Sequence, residues 1–274
     1  MNISIYKSPT RREEGVVSAL VAGFKRHGIK PTVIPKPSTP VVPDGTDLAV
    51  FIGVKSRKVR DVCVKAGVPY LLIDKGYFKR NRYHRFALNG FTPCYLGSGL
   101  DDPARFKSLG IKLGNVRLPS ASRVVFVGFD NKYGAFHGLE DAADYAADIN
   151  SKVAAITRGT SLNLFVRSRA DRAALPFSAL LPTCYCVVVH GSIAGVEAVI
   201  GGVPVISLGG RAANVVHDLS NTTLESVLNP RRPSKERVAK RLAELAWCQF
   251  TLEEISEGLA WGVLSEQYGR LGKG

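Results

Sequence analysis

The apolar positions of this chain change period several times, and each change marks an element. NISIY at residues 2–6 reads as a short strand. Thr10 and Glu13 then stand at capping-box spacing. Val16, Val17, Leu20, Val21 and Phe24 follow at helical period, predicting a helix that stops near His27-Gly28. PTVIP at 31–35 is a predicted strand, and a proline-rich loop runs from it to Pro43. DLAVFIG at 47–53 is apolar enough to be a strand buried on both faces. A helix is expected around 57–66, then a second buried strand, PYLLID at 69–74, ending in KGYFKRNRYHRFALNG.

Residues 92–122 lack strong periodicity and contain Gly97, Gly99, Pro103, Gly110, Gly114 and Pro119, the composition of an irregular interdomain linker. The pattern restarts at Arg123 with the buried strand RVVFVGF, residues 123–129. A helix around 139–150, a strand LNLFVRSR at 162–169 and a helix near 176–181 follow. VVVHGSIAGVEAVIGGVPVISLGG, residues 187–210, reads as strand, small-residue turn, helix, Gly-Val-Pro and a second strand. From 234 to 268 the chain is helical, with a break at Thr251–Glu254. Strands separated by helices predict parallel sheets covered on both faces. The expected fold is α/β, with two doubly wound Rossmann-like domains at 1–120 and 121–250. A last helix at 251–274 would pack back on the first domain.

Composition agrees with a packed protein: 45% of residues are apolar and 22% charged. The five cysteines, Cys63, Cys94, Cys184, Cys186 and Cys248, are scattered and complete no metal-ligand spacing. They read as reduced thiols of a cytoplasmic protein. No signal-peptide core and no run of about 18 uncharged apolar residues is present, so no membrane span is expected.

The charge is one-sided. Residues 1–120 carry 21 Lys+Arg against 8 Asp+Glu, whereas residues 121–274 carry 16 against 15. That asymmetry points to a polyanionic partner for the first part, or to a generically basic surface.

The candidate chemistry lies where strands meet helices. In a doubly wound sheet, ligands sit beyond the carboxyl ends of the strands, where helix N-termini offer free N–H groups. His190-Gly191-Ser192 occupies such a position. Gly191 would let a phosphate approach the backbone, and Ser192 adds a hydroxyl. Small residues at this turn also serve tight packing. Glu197, in the otherwise apolar IAGVEAVIGG, needs a polar partner. A ribose diol would suit it, as would a structural ion pair.

GSIAGVEAVIGGVPVI resembles the donor-binding segment of glycosyltransferases with the two-domain GT-B fold, with Glu197, Ala198, Gly202, Pro204 and Val205 at matching spacing. The resemblance implies that the turn at His190, Gly191 and Ser192 meets a nucleotide diphosphate and that Glu197 holds the ribose. It implies a phosphate-facing arginine at the end of LNLFVRSR, Arg167 or Arg169, and a donor loop at Asn131 and Lys132. The chain is also similar to small phage glycosyltransferases and to capsule-polysaccharide transferases. Many GT-B enzymes carry a second Glu eight positions after the first, and here that position is Val205.

In such enzymes the acceptor binds the N-terminal domain, which here is the basic half. DKGYFKRNRYHRF, residues 74–86, places Lys75, Lys79, Arg80, Arg82 and Arg85 among Tyr77, Phe78, Tyr83 and Phe86. Cations can neutralise phosphates and aromatic rings can stack on bases. Arg11, Lys55 and Arg57 join them as candidate nucleic-acid contacts. Asp74, at a strand end, is the candidate base for the acceptor hydroxyl, with His84 as competitor.

The expected activity is transfer of a sugar, without a bound cofactor or metal, from a nucleotide-sugar co-substrate, with a uridine-linked (UDP) sugar as the expected donor. The expected acceptor is a polyanion, foremost a hydroxymethylated base in phage DNA, modified in the host cytoplasm. Two alternatives stay open: a transferase for an anionic surface polysaccharide, and a non-catalytic DNA-binding protein on the same scaffold.

Overall fold

The computed structural model describes residues 1–36, 38–92, 100, 102–114, 121–139, 141–167, 175–209 and 215–271. Its strands are β1 (Ile3–Lys7), β2 (Thr32–Pro35), β3 (Leu48–Ile52), β4 (Tyr70–Lys75), β5 (His84–Leu88), β6 (Arg123–Val127), β7 (Asn163–Arg167), β8 (Cys184–Val189), β9 (Val205–Ser207) and β10 (Gln249–Phe250). The helices are α1 (Arg11–Arg26), α2 (Arg57–Lys65), α3 (Pro103–Ser108), α4 (Asn131–Phe136), α5 (Ala142–Thr157), α6 (Phe177–Leu180), α7 (Ala194–Ile200), α8 (Lys235–Ala246), α9 (Leu252–Ser256) and α10 (Leu259–Leu271). The chain divides into two compact units, Met1–Arg105 with Ala243–Gly274, and Phe106–Leu242.

The first unit carries a six-stranded sheet in the order β10-β5-β4-β3-β1-β2. β1 to β4 run parallel, and β5 pairs antiparallel with both β4 and β10. All five residues of β3 are buried, as its unbroken apolar run requires in a sheet covered on both sides. β5 and β10 were not expected. In β5 the charged start His84-Arg85 hides the period, and β10 is two residues long.

The amphipathic face of α1 joins β1, β3, β4, β5, α9 and α10 in one core, which includes Leu20, Phe24, Phe86, Phe250, Ile255 and Trp261. Phe24 meets Trp261 edge to face, with ring centroids 5.1 Å apart. The C-terminal helices thus cross back to the N-terminal sheet and complete its core. Thr251 and Glu254 form a full capping box at the start of α9. At α1 the box is half formed. Thr10 Oγ1 accepts from the Glu13 amide, but the Glu13 carboxylate accepts from Ser8 N, two residues earlier than expected.

Arg105 ties α9 down. It makes a two-pronged pair with Glu254, at 2.7 and 2.8 Å, and donates to the carbonyls of Ala246 and Gln249. The described part of the expected linker holds α3 as well as irregular chain, while residues 93–99, 101 and 115–120 lie outside the described residues.

The second unit has a four-stranded, all-parallel sheet in the order β7-β6-β8-β9. Val124, Phe126, Val188 and Ile206 from the strands pack with Ile149 and Val153 of α5. The chain leaves β6 for β7 on one side and returns as β8 on the other, so the strand order reverses between β6 and β8. That reversal is where a doubly wound sheet opens a crevice for ligands.

Candidate functional site

In the second unit the carboxyl ends of β6, β7 and β8 bring the expected donor residues to one sheet edge. Arg167 is the last residue of β7, opposite Val127 of β6. It is only 5% exposed. Its Nη2 donates to the Leu175 carbonyl at 3.0 Å, and its guanidinium lies over the Phe177 ring. Among the described residues its buried Nε–H finds no acceptor. A buried donor on a cation is costly unless something accepts from it. Arg169 lies outside the described residues.

His190 directly follows β8 at the topological switch point. It is buried, within a cage that pattern reading did not find. Phe129, Tyr133, His137 and Tyr145 surround it, with ring centroids 5.5–6.2 Å from its own. The Tyr145 hydroxyl bonds His190 Nδ1 at 3.1 Å. Burial lowers the His190 pKa and raises that of Tyr145 to about 12, with the Asp148 charge adding to the latter. Both rings are therefore neutral in the neutral pH range. The signal available in the sequence was Tyr133 and His137 at i, i+4, together with Tyr145 one turn before Ile149 and two before Val153 on the core face of α5.

α4 is capped by Asp130, whose carboxylate accepts from the Tyr133 amide. Asn131 bridges to the start of α5, donating to Asp141 and accepting from the Ala142 amide. Lys132 stands exposed on the first turn of α4. Ser192 Oγ accepts from the Ala194 amide at 3.2 Å, which leaves its hydroxyl proton available. Gly191 is buried. Glu197 is the fourth residue of α7 and half-buried, between the fully buried Val196 and Ala198. Gly202 ends that turn at φ +74°, a left-handed conformation that favours glycine, and Pro204 leads into β9. Val205 opens β9 and is fully buried, at the end of the strand away from His190.

In the first unit Asp74 and Arg85 are cross-strand partners on β4 and β5. Arg85 Nη2 reaches the Asp74 carboxylate at 3.4 Å, and Asp74 also accepts from the Lys75 amide. His84 pairs with Lys75, one register on, so its side chain points to the opposite face from that of Asp74. Arg85 departs from its expected role as a nucleic-acid contact. It is 2% exposed and stacked on Phe91, 4.0 Å from the ring centroid, because its charge is matched inside by Asp74. Tyr77, Phe78 and Phe86 are likewise buried, so none of the three presents a face for stacking on bases. Arg11, Lys55, Arg57, Lys79, Arg80 and Arg82 are exposed, and Arg57 pairs with Asp61. Lys75 is half-buried.

Among the described residues no group of three or more His, Cys, Asp or Glu is placed to hold a metal ion, and no helix is long and apolar enough to cross a membrane.

No protein-family model matches the chain, and no curated protein matches it. Solved structures do. The β-Kdo 2,4 transferase KpsC of Thermosulfurimonas dismutans superposes over 89% of this chain and 90% of its own, with TM-score 0.51 and 14% identity. The β-Kdo 2,7 transferase KpsC of the same organism covers 94% of this chain and 98% of its own, with TM-score 0.49 and 13% identity. The likeness at TM-score 0.51 is one of fold: two Rossmann-like α/β units of GT-B architecture.

Proposed function

We propose that this protein is a glycosyltransferase that binds a nucleotide-sugar donor on its second unit and an anionic acceptor on its first. The observation that carries this reading is the buried Arg167, whose Nε–H finds no acceptor among the described residues and lies at the end of β7, on the same sheet edge as His190, Gly191 and Ser192. A diphosphate is the kind of acceptor those donors lack. Arg167 gives a charged hydrogen bond, and Ser192 a hydroxyl. Lys132 adds charge from the first turn of α4, and Glu197 is the candidate for the ribose hydroxyls.

In the transfer itself, the acceptor oxygen would form its bond to the anomeric carbon as the bond to the diphosphate breaks. The electron pair would leave with the diphosphate, where Arg167 offsets the developing charge. The acceptor proton would go to a base of the first unit. Asp74 and His84 are the candidates, and Asp74 is already engaged by Arg85.

Two anionic acceptors fit the exposed cations of the first unit, among them Lys55, Lys79, Arg80 and Arg82: DNA with a hydroxymethylated base, and an anionic glycan. The burial of Tyr77, Phe78 and Phe86 favours the glycan, because base stacking loses three of its expected rings. The name of the structural neighbour, a Kdo transferase, points the same way.

The test is thermal melting against nucleotide sugars and free nucleotides, with Arg167→Leu and Glu197→Ala beside the wild type. A ligand that binds the folded state raises the melting temperature by mass action. A saturable rise with one nucleotide sugar, lost in both variants, is expected. No rise with any of them would remove the donor site and the transferase reading with it.

A further inference from the structure

The carboxyl edge of the first unit's sheet carries a second cluster that the donor site does not use. Four adjacent parallel strands each end at or near a lysine. In sheet order these are Lys75 on β4, Lys55 after β3, Lys7 on β1 and Lys36 after β2. Lys7 is neutralised by Glu14 at 2.8 Å. Lys36 is different. It is half-buried, and its ammonium donates to two hydroxyls, those of Ser8 and Ser56. Among the described residues no carboxylate comes within ion-pair distance of it. The Ser56 hydroxyl is itself committed to the Ile52 carbonyl, and Ser56 is 1% exposed, so this side of the seat is rigid. The nearby carboxylate, Glu13, is held by the Ser8 amide at 2.7 Å. What remains is one N–H of Lys36, the Ser8 hydroxyl proton and the exposed ammonium of Lys55.

A half-buried ammonium held by neutral oxygens, with Glu13 near but outside ion-pair distance, is only partly compensated. Burial holds its pKa below the ordinary lysine value, and Lys55 acts in the same direction against Glu13. These are the features of a cation placed for an anion that comes from outside.

We propose that Lys36, the Ser8 hydroxyl and Lys55 form a seat for one phosphate dianion at this edge, supplied as the free ion or as a phosphomonoester. Lys36 gives the charged hydrogen bond, Ser8 a neutral one, and Lys55 the second positive charge. The seat does not depend on the transferase reading, and it stands if no nucleotide sugar binds.

The experiment is a calorimetric and thermal-melting titration of the whole protein with inorganic phosphate and with glucose 1-phosphate, against sodium chloride at matched ionic strength. The wild type is expected to show saturable binding to at least one of them. Tighter binding of glucose 1-phosphate identifies a carried phosphoryl group, and equal binding identifies the free ion. Lys36→Met is expected to weaken that affinity about tenfold or more, the loss of one charged hydrogen bond. Its melting temperature in chloride should be no lower than the wild type's, since it removes a half-buried charge that has no ion pair among the described residues. Should Lys36→Met fail to fold, Ser8→Ala provides the milder loss. Absence of a saturable phosphate effect in the wild type overturns the proposal. So does wild-type affinity in a folded Lys36→Met protein.

Discussion

The phenol of Tyr145 stands 3.1 Å from Nδ1 of His190, inside a ring cage at the switch point of the second unit's sheet. Burial keeps the phenol protonated and the imidazole neutral, so a single proton is shared in this bond and its direction follows the His190 tautomer. Tyr145→Phe removes the hydroxyl that meets Nδ1. The expected outcome is a change in the His190 tautomer ratio, read from the 15N shifts of its ring, with the fold retained.

The same histidine makes stability depend on pH. Its folded pKa lies below the ordinary value of about 6.5, so the unfolded chain binds the proton first. Stability from this group is therefore full above about pH 6.5 and falls as pH drops from there towards the folded pKa. Urea melts of wild type and His190→Phe between pH 5 and 8 test this. The wild type should lose stability on the acid side, and the variant should lose less.

Gly23 of α1 has no room for a side chain. A Cβ there would lie 2.0 Å from the Ile255 carbonyl oxygen of α9. Gly23→Ala must push α9 away from the core containing Phe24 and Trp261. The expected loss is about 3 kcal/mol or more by denaturant unfolding, well above an ordinary Gly→Ala change in a helix. A neutral or stabilising effect would show that the α1–α9 contact is looser than described.

The exposed cations Lys79, Arg80 and Arg82 cluster on the turn after β4. If they contact a phosphate backbone, replacing all three by Gln flattens the log–log salt dependence of duplex DNA binding by up to about 3. An unchanged slope, with anionic oligosaccharide still bound by the wild type, would leave the glycan as the acceptor.

Much of the second unit was readable because β6, β8 and β9 are buried on both faces and bounded by turn residues. RVVFV, CYCVVV and the Gly202-Val203-Pro204 turn carry their structure in their own composition. So does α1, with its apolar face at helical period. β5 and β10 were not readable. One begins with His84 and Arg85, and the other is too short to show any period. Both exist because neighbouring strands pair with them.

The sequence by itself determined the alternation of strands and helices, the basic first half and the small-residue turn at His190-Gly191-Ser192. These depend on local period, composition and spacing, which are properties of adjacent residues. Tertiary structure alone decided which charges are available. It buried Arg85 against Asp74 and Phe91, enclosed His190 within four rings drawn from residues 129–145, left the Arg167 Nε–H without an acceptor among the described residues, and set Lys36 between Ser8 and Ser56. Each of these depends on partners that are not neighbours in the chain, whose meeting is fixed by sheet order and packing.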